Sequence, residues 1–296
     1  MNNTVSHKKT QLFEQNRTAL EGIAYRMLGS LSDAADIVQD TYLKWQDEDL
    51  NNIEEPRAWL ITVCSRLALN TLQSARVKRE AYFGVWLPEP LINEQYTDVS
   101  DQHDLDESIS VALLLALEKL SPAERASYIL HEVFNYSFEE IALTLNKSNA
   151  TCRQLASRSR KRIQEEKPRF NASSDEHKQL LDSFMLATRE GELQQLEKLL
   201  STSVELYSDG GGKAQAVPEV LCGSQTVADF FITIWQQYAD DNVTIDINTS
   251  WFNGSPGILI FENNSLATAI TLDINEGVIQ RIYAIRNPDK LSVFSH

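Results

Sequence analysis

The sequence predicts a multidomain chain in which two all-α domains precede an α+β domain. Three observations support this division. Apolar residues recur at helical spacing through about the first 165 residues, a helix-turn-helix pattern occupies residues 137–163, and apolar and polar residues alternate in several segments after residue 200. At 296 residues, the chain is long enough for two or three domains, each with its own core.

The first 80 residues predict a series of helices. An apolar stripe over residues 12–28 ends at Gly29, and Ser32 is expected to cap the next helix. A polar loop separates that helix from a third one, which is apolar at its start and basic at its end. Trp45 and Trp59 flank this loop, and we expect both to be core residues.

Residues 137–163 predict two helices joined by a tight turn. Ser137 and Glu140 form a capping box for the first helix, and Asn146 tolerates the left-handed conformation that ends it. The second helix has an apolar inner stripe and a basic outer face, which is the pattern of a DNA-reading helix-turn-helix. On this segment alone, an ordinary helical hairpin is an equal alternative. Eight basic residues against two acidic ones between 147 and 169 favour DNA binding.

The rest of the composition limits the function classes. The net charge of −15 excludes a general nucleic-acid coat, so DNA contacts must come from local basic patches, within a larger complex. Cys64, Cys152 and Cys222 are scattered, which indicates neither a disulfide framework nor a zinc site. The scattered cysteines fit a reducing cytoplasm, and neither a signal peptide nor a membrane-spanning run is recognised, so we expect a cytoplasmic protein with no membrane contact. We also expect no metal and no cofactor.

Two polar segments predict linkers. Residues 93–107 contain six acids and no basic residue, and residues 168–176 are short and polar. Beyond the second linker, two helices precede alternating strands, with hairpin turns expected at 263–264 and 275–277. Helices combined with a curved antiparallel sheet indicate an α+β domain.

Particular segments resemble a known family. The segments AYRMLGSLSDAADIVQDTYLKW and PRAWLITVCSRLALNTLQSARVKRE resemble region 2 of extracytoplasmic-function sigma factors, and the helix-turn-helix, introduced by LSPAERASYILHEVFNYSFEEIA, is similar to their region 4. Three short motifs, WLPEP, DGGGK and NPDKL, resemble the sigma-J-like group, which has a fused SnoaL-like domain of the NTF2-like fold. The resemblance implies domains at 8–82, 108–167 and 177–296, with linkers at 83–107 and 168–176.

This resemblance implies an alternative sigma factor whose partners are RNA polymerase core and promoter DNA. The residues implied at the −35 element are Arg153, Gln154, Ser157, Arg158, Arg160 and Lys161. The residues implied at the −10 element are Arg66, Asn70, Arg76, Lys78 and Arg79. The residues implied in polymerase docking are Asp33, Asp36, Gln39 and Asp40. A solvated amphipathic face is the alternative interpretation of this last set.

The three short motifs are expected to form an interdomain regulatory site. Their residues are Trp86, Leu87, Pro88, Glu89, Pro90, Asp209, Gly210, Gly211, Gly212, Lys213, Asn287, Pro288, Asp289, Lys290 and Leu291. A packed strand end is the alternative for WLPEP, and a strand-connecting turn is the alternative for DGGGK. The C-terminal domain is expected to modulate the sigma factor. No His–carboxylate constellation is present, so we predict no catalytic residues and no enzyme. The second hypothesis is a ligand sensor or enzyme, with a possible small-molecule ligand, coupled to a helix-turn-helix DNA-binding protein.

Overall fold

A computed structural model describes residues 2–92, 109–166 and 173–295. These residues fall into two compact units, each with its own core. The first unit consists of residues 2–80, 109 and 113–166. The second unit consists of residues 81–92, 110–112 and 173–295.

The N-terminal part of the first unit is helical, as predicted. Its helices are α1 (Asn2–Glu14), α2 (Arg17–Leu28), α3 (Leu31–Asp47) and α4 (Pro56–Glu80). The apolar stripe over 12–28 is divided between two helices, because the chain turns at Asn16, whose side chain donates to the Leu12 carbonyl at 2.8 Å. Gly29 ends α2 in the left-handed conformation, with φ of 64°.

The prediction that Ser32 caps α3 is wrong. Ser30 occupies the capping position, and its hydroxyl accepts from the backbone N–H of Asp33 at 3.2 Å. The helix therefore begins one residue before Ser32, whose hydroxyl lies 3.0 Å from that of Ser30. The extended backbone at Ser30 explains the difference, since a capping residue must lie outside the helical conformation.

The core of this helical group contains Trp45, which is completely buried and donates its indole N–H to the Lys9 carbonyl at 2.9 Å. The rings of Trp45 and Trp59 are 5.4 Å apart. Trp59 is half-buried. The core assignment is confirmed for Trp45. Trp59 lies at the boundary of the core, where its ring packs against that of Trp45 at an angle of 49°.

The remaining helices of the first unit include the predicted helix-turn-helix. They are α5 (Val111–Glu118), whose first two residues belong to the second unit, α6 (Pro122–Tyr128), α7 (Phe138–Leu145) and α8 (Asn149–Glu166), and a short π-helix (Ile129–Val133) follows α6. Ser137 and Glu140 form the predicted capping box of α7, and Asn146 ends that helix with φ of 52°. The Ser148 hydroxyl then accepts from the backbone of Thr151 at 3.2 Å and so caps α8.

The second unit has the predicted α+β architecture. Its helices are α9 (Ser174–Glu190), α10 (Leu193–Leu199), α11 (Ser224–Asp240) and α12 (Pro288–Leu291). Its strands are β1 (Leu200–Asp209), β2 (Leu221–Cys222), β3 (Ile245–Phe252), β4 (Ser255–Glu262), β5 (Ser265–Asn275) and β6 (Val278–Ile285). They form one sheet in the order β2-β1-β6-β5-β4-β3, in which only the β1–β6 pair is parallel.

Turn chemistry and side-chain alternation position this sheet. The predicted hairpin turns are confirmed, with positive φ at Asn263, Asn264, Glu276 and Gly277. One face of the sheet packs its apolar side chains with those of α9 and α11 in a single core. Because side chains alternate along a strand, Asp209 at the end of β1 belongs to the opposite face from Leu206.

No helix in the described part of the chain has the length and hydrophobicity needed to cross a bilayer.

Candidate functional site

Helix α8 presents the residues predicted at the −35 element. Its inner stripe buries Cys152, Ala156, Ser159 and Ile163. All six predicted residues, Arg153, Gln154, Ser157, Arg158, Arg160 and Lys161, are exposed on the helix. Their spacings place all six on one face of α8.

Arg160 differs from the other five residues. Its guanidinium is bound by the Glu132 carboxylate, with the shortest contact at 2.6 Å. Arg162, its neighbour, similarly pairs with Glu124 at 3.0 Å. Arg153 instead lies over the Phe138 ring, 5.7 Å from its centroid. The basic face of α8 is thus partly neutralised at Arg160 and Arg162 by the protein's own acids, whereas Arg153 contacts an aromatic ring.

Of the residues predicted at the −10 element, Arg66 and Arg79 are bound by other groups of the protein. Arg66 donates its Nε to the Thr144 carbonyl at 2.9 Å and its Nη2 to the Leu143 carbonyl at 2.7 Å. Arg79 is bound to Glu118, and Asn70 is exposed. The side chains of Arg76 and Lys78 lie outside the described residues. Arg66 therefore links α4 to the C-terminal end of α7.

A second link between the two helical groups is buried. Arg125 of α6 is 1% exposed, and its Nε and Nη2 donate to the Arg26 carbonyl at 3.1 and 3.0 Å. Its Nη1 pairs with Glu118, which also binds Arg79. Burial lowers the pKa of Arg125, while Glu118 opposes that shift. In the first unit, the helices of residues 2–80 and the helix-turn-helix group are thus in direct contact.

The predicted polymerase-docking residues lie along α3. Asp36, Gln39 and Asp40 are exposed, and Asp33 is half-buried next to the helix cap. Leu43, on the same helix, is 53% exposed, which is unusual for a large apolar side chain. This helix therefore has an exposed acidic stretch followed by an apolar residue.

The three short motifs meet in the second unit. We call residues 81–92, which include WLPEP, the strap. The strap's Leu87 is fully buried, and its backbone N–H donates to Oδ2 of Asp209 at 2.8 Å. The Nζ of Lys290 donates to the same oxygen at 2.6 Å and to the Leu87 carbonyl. One residue from each motif therefore contributes to a single buried group of hydrogen bonds.

The second oxygen of the Asp209 carboxylate also holds the strap. Oδ1 accepts from the Tyr82 hydroxyl at 2.7 Å and from the Gly211 backbone at 3.0 Å. Asn287 donates its side-chain amide to the Tyr82 oxygen at 2.9 Å. Burial, followed by the neighbouring Asp209 carboxylate, raises the pKa of Tyr82 above its ordinary value, so the phenol remains a donor.

Lys290 makes aromatic contacts in addition to its ion pair. Its Nζ lies 4.7 Å from the Trp86 ring centroid and 5.2 Å from that of Tyr82. These distances are within the range of cation–π attraction. Both aromatic rings belong to the strap, so Lys290 binds it through charge, hydrogen bonding and ring contacts.

The remaining motif residues support this arrangement. Asn287 caps α12 by accepting from the Asp289 backbone at 3.1 Å. Asp289 pairs with Lys213 at the surface, where the two side chains are 65% and 55% exposed. Gly211 has φ of 59°, and a Cβ there would collide with the Asn287 side chain. In the strap, Pro88 and Pro90 are buried and Glu89 is half-buried.

Sequence reasoning missed three residues of this site. They are Tyr82, Leu91 and Asn253. The Leu91 N–H donates to the Asn253 side chain at 3.1 Å, and the Asn253 N–H donates back to the Leu91 carbonyl at 2.8 Å. Asn253 has a positive φ of 50°, so the Asn-Gly turn signal was available. The corresponding signal for Tyr82 was its position in an aromatic pair with Phe83, shortly before WLPEP.

The second unit also contains a cavity of about 720 Å³ on the helix-covered face of the sheet. Its walls include Leu206 and Ile270 of the sheet and Trp235 of α11. At its polar end, Glu262 accepts from the Tyr238 hydroxyl at 2.6 Å and from Nη2 of Arg286 at 2.7 Å. Within the described residues, no cluster of His, Cys, Asp and Glu has the arrangement of a metal site.

Comparisons with known proteins agree with this description. Residues 12–77 match the family described as Sigma-70 region 2, and residues 110–163 match Sigma-70, region 4. The chain is 34% identical over 290 residues to the ECF RNA polymerase sigma factor SigJ of Mycobacterium tuberculosis, covering 95% of this chain and 92% of that protein. It is 31% identical over 278 residues to the probable ECF sigma factor SigI of the same species, covering 93% and 92%.

A solved structure matches nearly the whole chain. The crystal structure of the M. tuberculosis extracytoplasmic function sigma factor SigJ superposes with a TM-score of 0.74 at 31% identity. The match covers 96% of this chain and 98% of that chain. It therefore includes both the helical part and the SnoaL-like α+β part.

Proposed function

Because the chain belongs to the family of extracytoplasmic-function RNA polymerase sigma factors, it directs RNA polymerase to promoters, and we propose that its C-terminal domain controls this activity by holding the strap. The chain is thus a transcription regulator, with core polymerase and promoter DNA as partners. The observation that carries the proposal is the buried binding of Leu87 by Asp209 and Lys290.

Regions 2 and 4 contact each other in the first unit, and this closed arrangement supports the proposal that their separation is controlled. The −10 and −35 elements are centred roughly 25 base pairs apart, which is about 85 Å along the DNA. Regions 2 and 4 instead touch each other through Arg66 and Thr144, 2.9 Å apart, and through Arg125 and Arg26. In this conformation the two regions are too close to read both elements, so we propose that the first unit opens before transcription begins.

The strap is well placed to restrain this opening. It lies between α4, the last helix of region 2, and α5, the first described helix of region 4. While its twelve residues are held against the C-terminal domain, they cannot extend. Release would add up to about 40 Å to the reach that the predicted linker 93–107 gives the connection between regions 2 and 4. We therefore propose that strap release lets regions 2 and 4 separate.

Run-off transcription with purified core polymerase tests this role. The full chain is compared with a chain that ends after residue 170 and so lacks the strap's binding partners. The proposal expects more promoter-dependent transcript from the shorter chain at equal protein concentration. Equal transcript from the two chains would contradict it, provided that both bind core polymerase equally in a pull-down.

The residue assignments belong to the same proposal. We propose that Arg153, Gln154, Ser157 and Arg158 read base edges at the −35 element and that the acidic stretch of α3 docks on polymerase core. Arg66 and Asn70 contact the −10 element once the first unit opens.

We place this activity in the cytoplasm, where RNA polymerase acts. We also propose the domain boundaries 8–82, 108–167 and 177–296.

The cavity favours a second function of the C-terminal domain, the binding of a small molecule. A volume of about 720 Å³ lies within the usual range of ligand sites, and the lining combines apolar side chains with polar ones such as Thr188 and Arg286. Ser208 and Arg286 line the cavity, and Asp209 and Asn287 of the strap site directly follow them in the chain. A ligand would therefore sit one residue away from the groups that hold the strap.

A further inference from the structure

The polar groups of the cavity define the class of molecule that it takes. We propose that the cavity binds a neutral, largely apolar molecule with one hydrogen-bond-acceptor oxygen, and that Arg286 donates to this oxygen. This inference rests on the proposed ligand-binding role of the cavity and adds the chemistry that selects the ligand.

The body of the ligand is specified by the cavity walls. Leu206 and Ile270 contribute apolar surface from the sheet, and Phe230, Ile234 and Trp235 contribute it from α11. Because these apolar surfaces cannot compensate the lost hydration of a charged group, they favour a ligand whose body is apolar. The volume of about 720 Å³ is sufficient for several fused rings.

The acceptor oxygen is specified by Arg286. The Tyr238 hydroxyl donates to Glu262, and burial followed by that hydrogen bond raises the pKa of Tyr238 to about 12, so this donor is already used. Arg286 donates Nη2 to the same carboxylate oxygen. Its Nε is buried, so neither water nor a ligand oxygen reaches that atom in this arrangement. The Arg286 side chain as a whole lines the cavity and is 19% exposed, and a guanidinium has five N–H donors, so a ligand oxygen can reach a donor that Glu262 does not use.

The charges around the cavity select a neutral molecule. Glu262 compensates Arg286, and the lining also includes the exposed carboxylates of Asp229 and Asp241. An anionic ligand would thus face three carboxylates and only one guanidinium. A cationic ligand at the polar end would meet Arg286, while the Glu262 oxygen there already accepts two hydrogen bonds. A ketone, ester or similar neutral oxygen avoids both conflicts.

Three fluorescent probes with the same ring system test this inference on the full-length protein. They are 1-acetylpyrene, 1-pyrenecarboxylate and 1-pyrenemethylammonium, titrated at pH 7.5. We expect 1-acetylpyrene to bind one per chain and about tenfold more tightly than either charged probe, a factor close to one net hydrogen bond. Arg286→Met should remove most of this preference, whereas Arg189→Met, at an exposed position outside the cavity lining, should not.

The possible results separate the two levels of the proposal. Equal or tighter binding of a charged probe, or unchanged binding by a folded Arg286→Met protein, would overturn the ligand class and leave ligand binding itself intact. If none of the probes binds the folded natural chain, the cavity's ligand role is overturned as well. If circular dichroism shows that Arg286→Met is unfolded, the probe series on the natural chain decides, and Ile234→Trp, which fills the cavity, must abolish binding.

Discussion

Asp209 and Lys290 form an ion pair that is closed to water, with side chains 0% and 7% exposed and a distance of 2.6 Å between Oδ2 and Nζ. Burying two charges is costly unless their remaining hydrogen-bonding groups are satisfied. Here the strap satisfies them, because Leu87 offers its N–H to the carboxylate and its carbonyl to the ammonium. The pair and the strap therefore stabilise each other.

Asp209→Asn should loosen the strap strongly. The substitution leaves Lys290 buried without its counter-charge, which costs about 3–5 kcal/mol. Asp289→Asn is the matched control, because it breaks the exposed pair with Lys213 and should cost about 0–1 kcal/mol. Hydrogen exchange at the Leu87 and Leu91 amides measures the opening of the strap. Equal protection of these amides in the two variants would contradict the assignment.

Gly211→Ala should destabilise the strap site beyond the cost of its backbone conformation. Gly211 and Gly277 both have positive φ, at 59° and 76°, so alanine costs about 1–2 kcal/mol at either position. A Cβ at Gly277 meets nothing within 4 Å, whereas one at Gly211 collides with Asn287. Urea unfolding of Gly211→Ala and Gly277→Ala isolates the steric part. The idea fails if the two variants unfold at the same urea concentration.

Arg153→Ala and Arg158→Ala should each weaken recognition of the −35 element by about 1–3 kcal/mol, the usual worth of an arginine–guanine contact. Arg160→Ala should have a smaller effect that does not depend on sequence, because Arg160 is held by Glu132. Binding of the holoenzyme to promoters with native and scrambled −35 sequences measures both effects. Unchanged discrimination in the first two variants would remove them from the base-reading set.

Acid should destabilise the second unit through His177. Burial lowers the pKa of this histidine to about 4, whereas the unfolded chain titrates near 6.5. The unfolded state therefore binds more protons between these values, so stability is full above about pH 6.5 and falls as the pH decreases toward 4. The loss is about 2 kcal/mol at pH 5 and about 3 kcal/mol below pH 4.

His177→Leu removes this contribution and is the matched comparison. The free energy of unfolding is measured from hydrogen exchange at the Ile282 amide at pH 7.5 and 5.0. The natural chain should lose about 2 kcal/mol more than the variant between the two conditions. The same loss in both proteins would show that His177 is not responsible.

Local sequence patterns predicted the features that depend on local chemistry. The capping box at Ser137, the left-handed Asn146 and the turn at Asn263 each follow from a few adjacent residues, and the structure contains all three. The cap of α3 was missed because Ser30 and Ser32 have equal capping ability. Only the backbone conformation at Ser30 distinguishes them.

The contacts that matter most for function join residues far apart in the chain. Arg66 was predicted to meet DNA, and its binding to the Leu143 and Thr144 carbonyls could not be inferred from either segment alone. The short motifs indicated that three segments act together, but not that the Asp209 carboxylate is the group they share. Long-range geometry of this kind depends on the packing of whole elements, for which one sequence contains little direct information.

Run-off transcription from the natural chain, Asp209→Asn and Asp289→Asn with core polymerase tests the central claim most directly. All three are full-length and should bind core polymerase equally. If the buried hold on the strap restrains the sigma domains, Asp209→Asn should produce several-fold more promoter-dependent transcript, and Asp289→Asn should match the natural chain. The same transcript level from all three proteins, with the strap amides of Asp209→Asn exposed to exchange, would contradict the account.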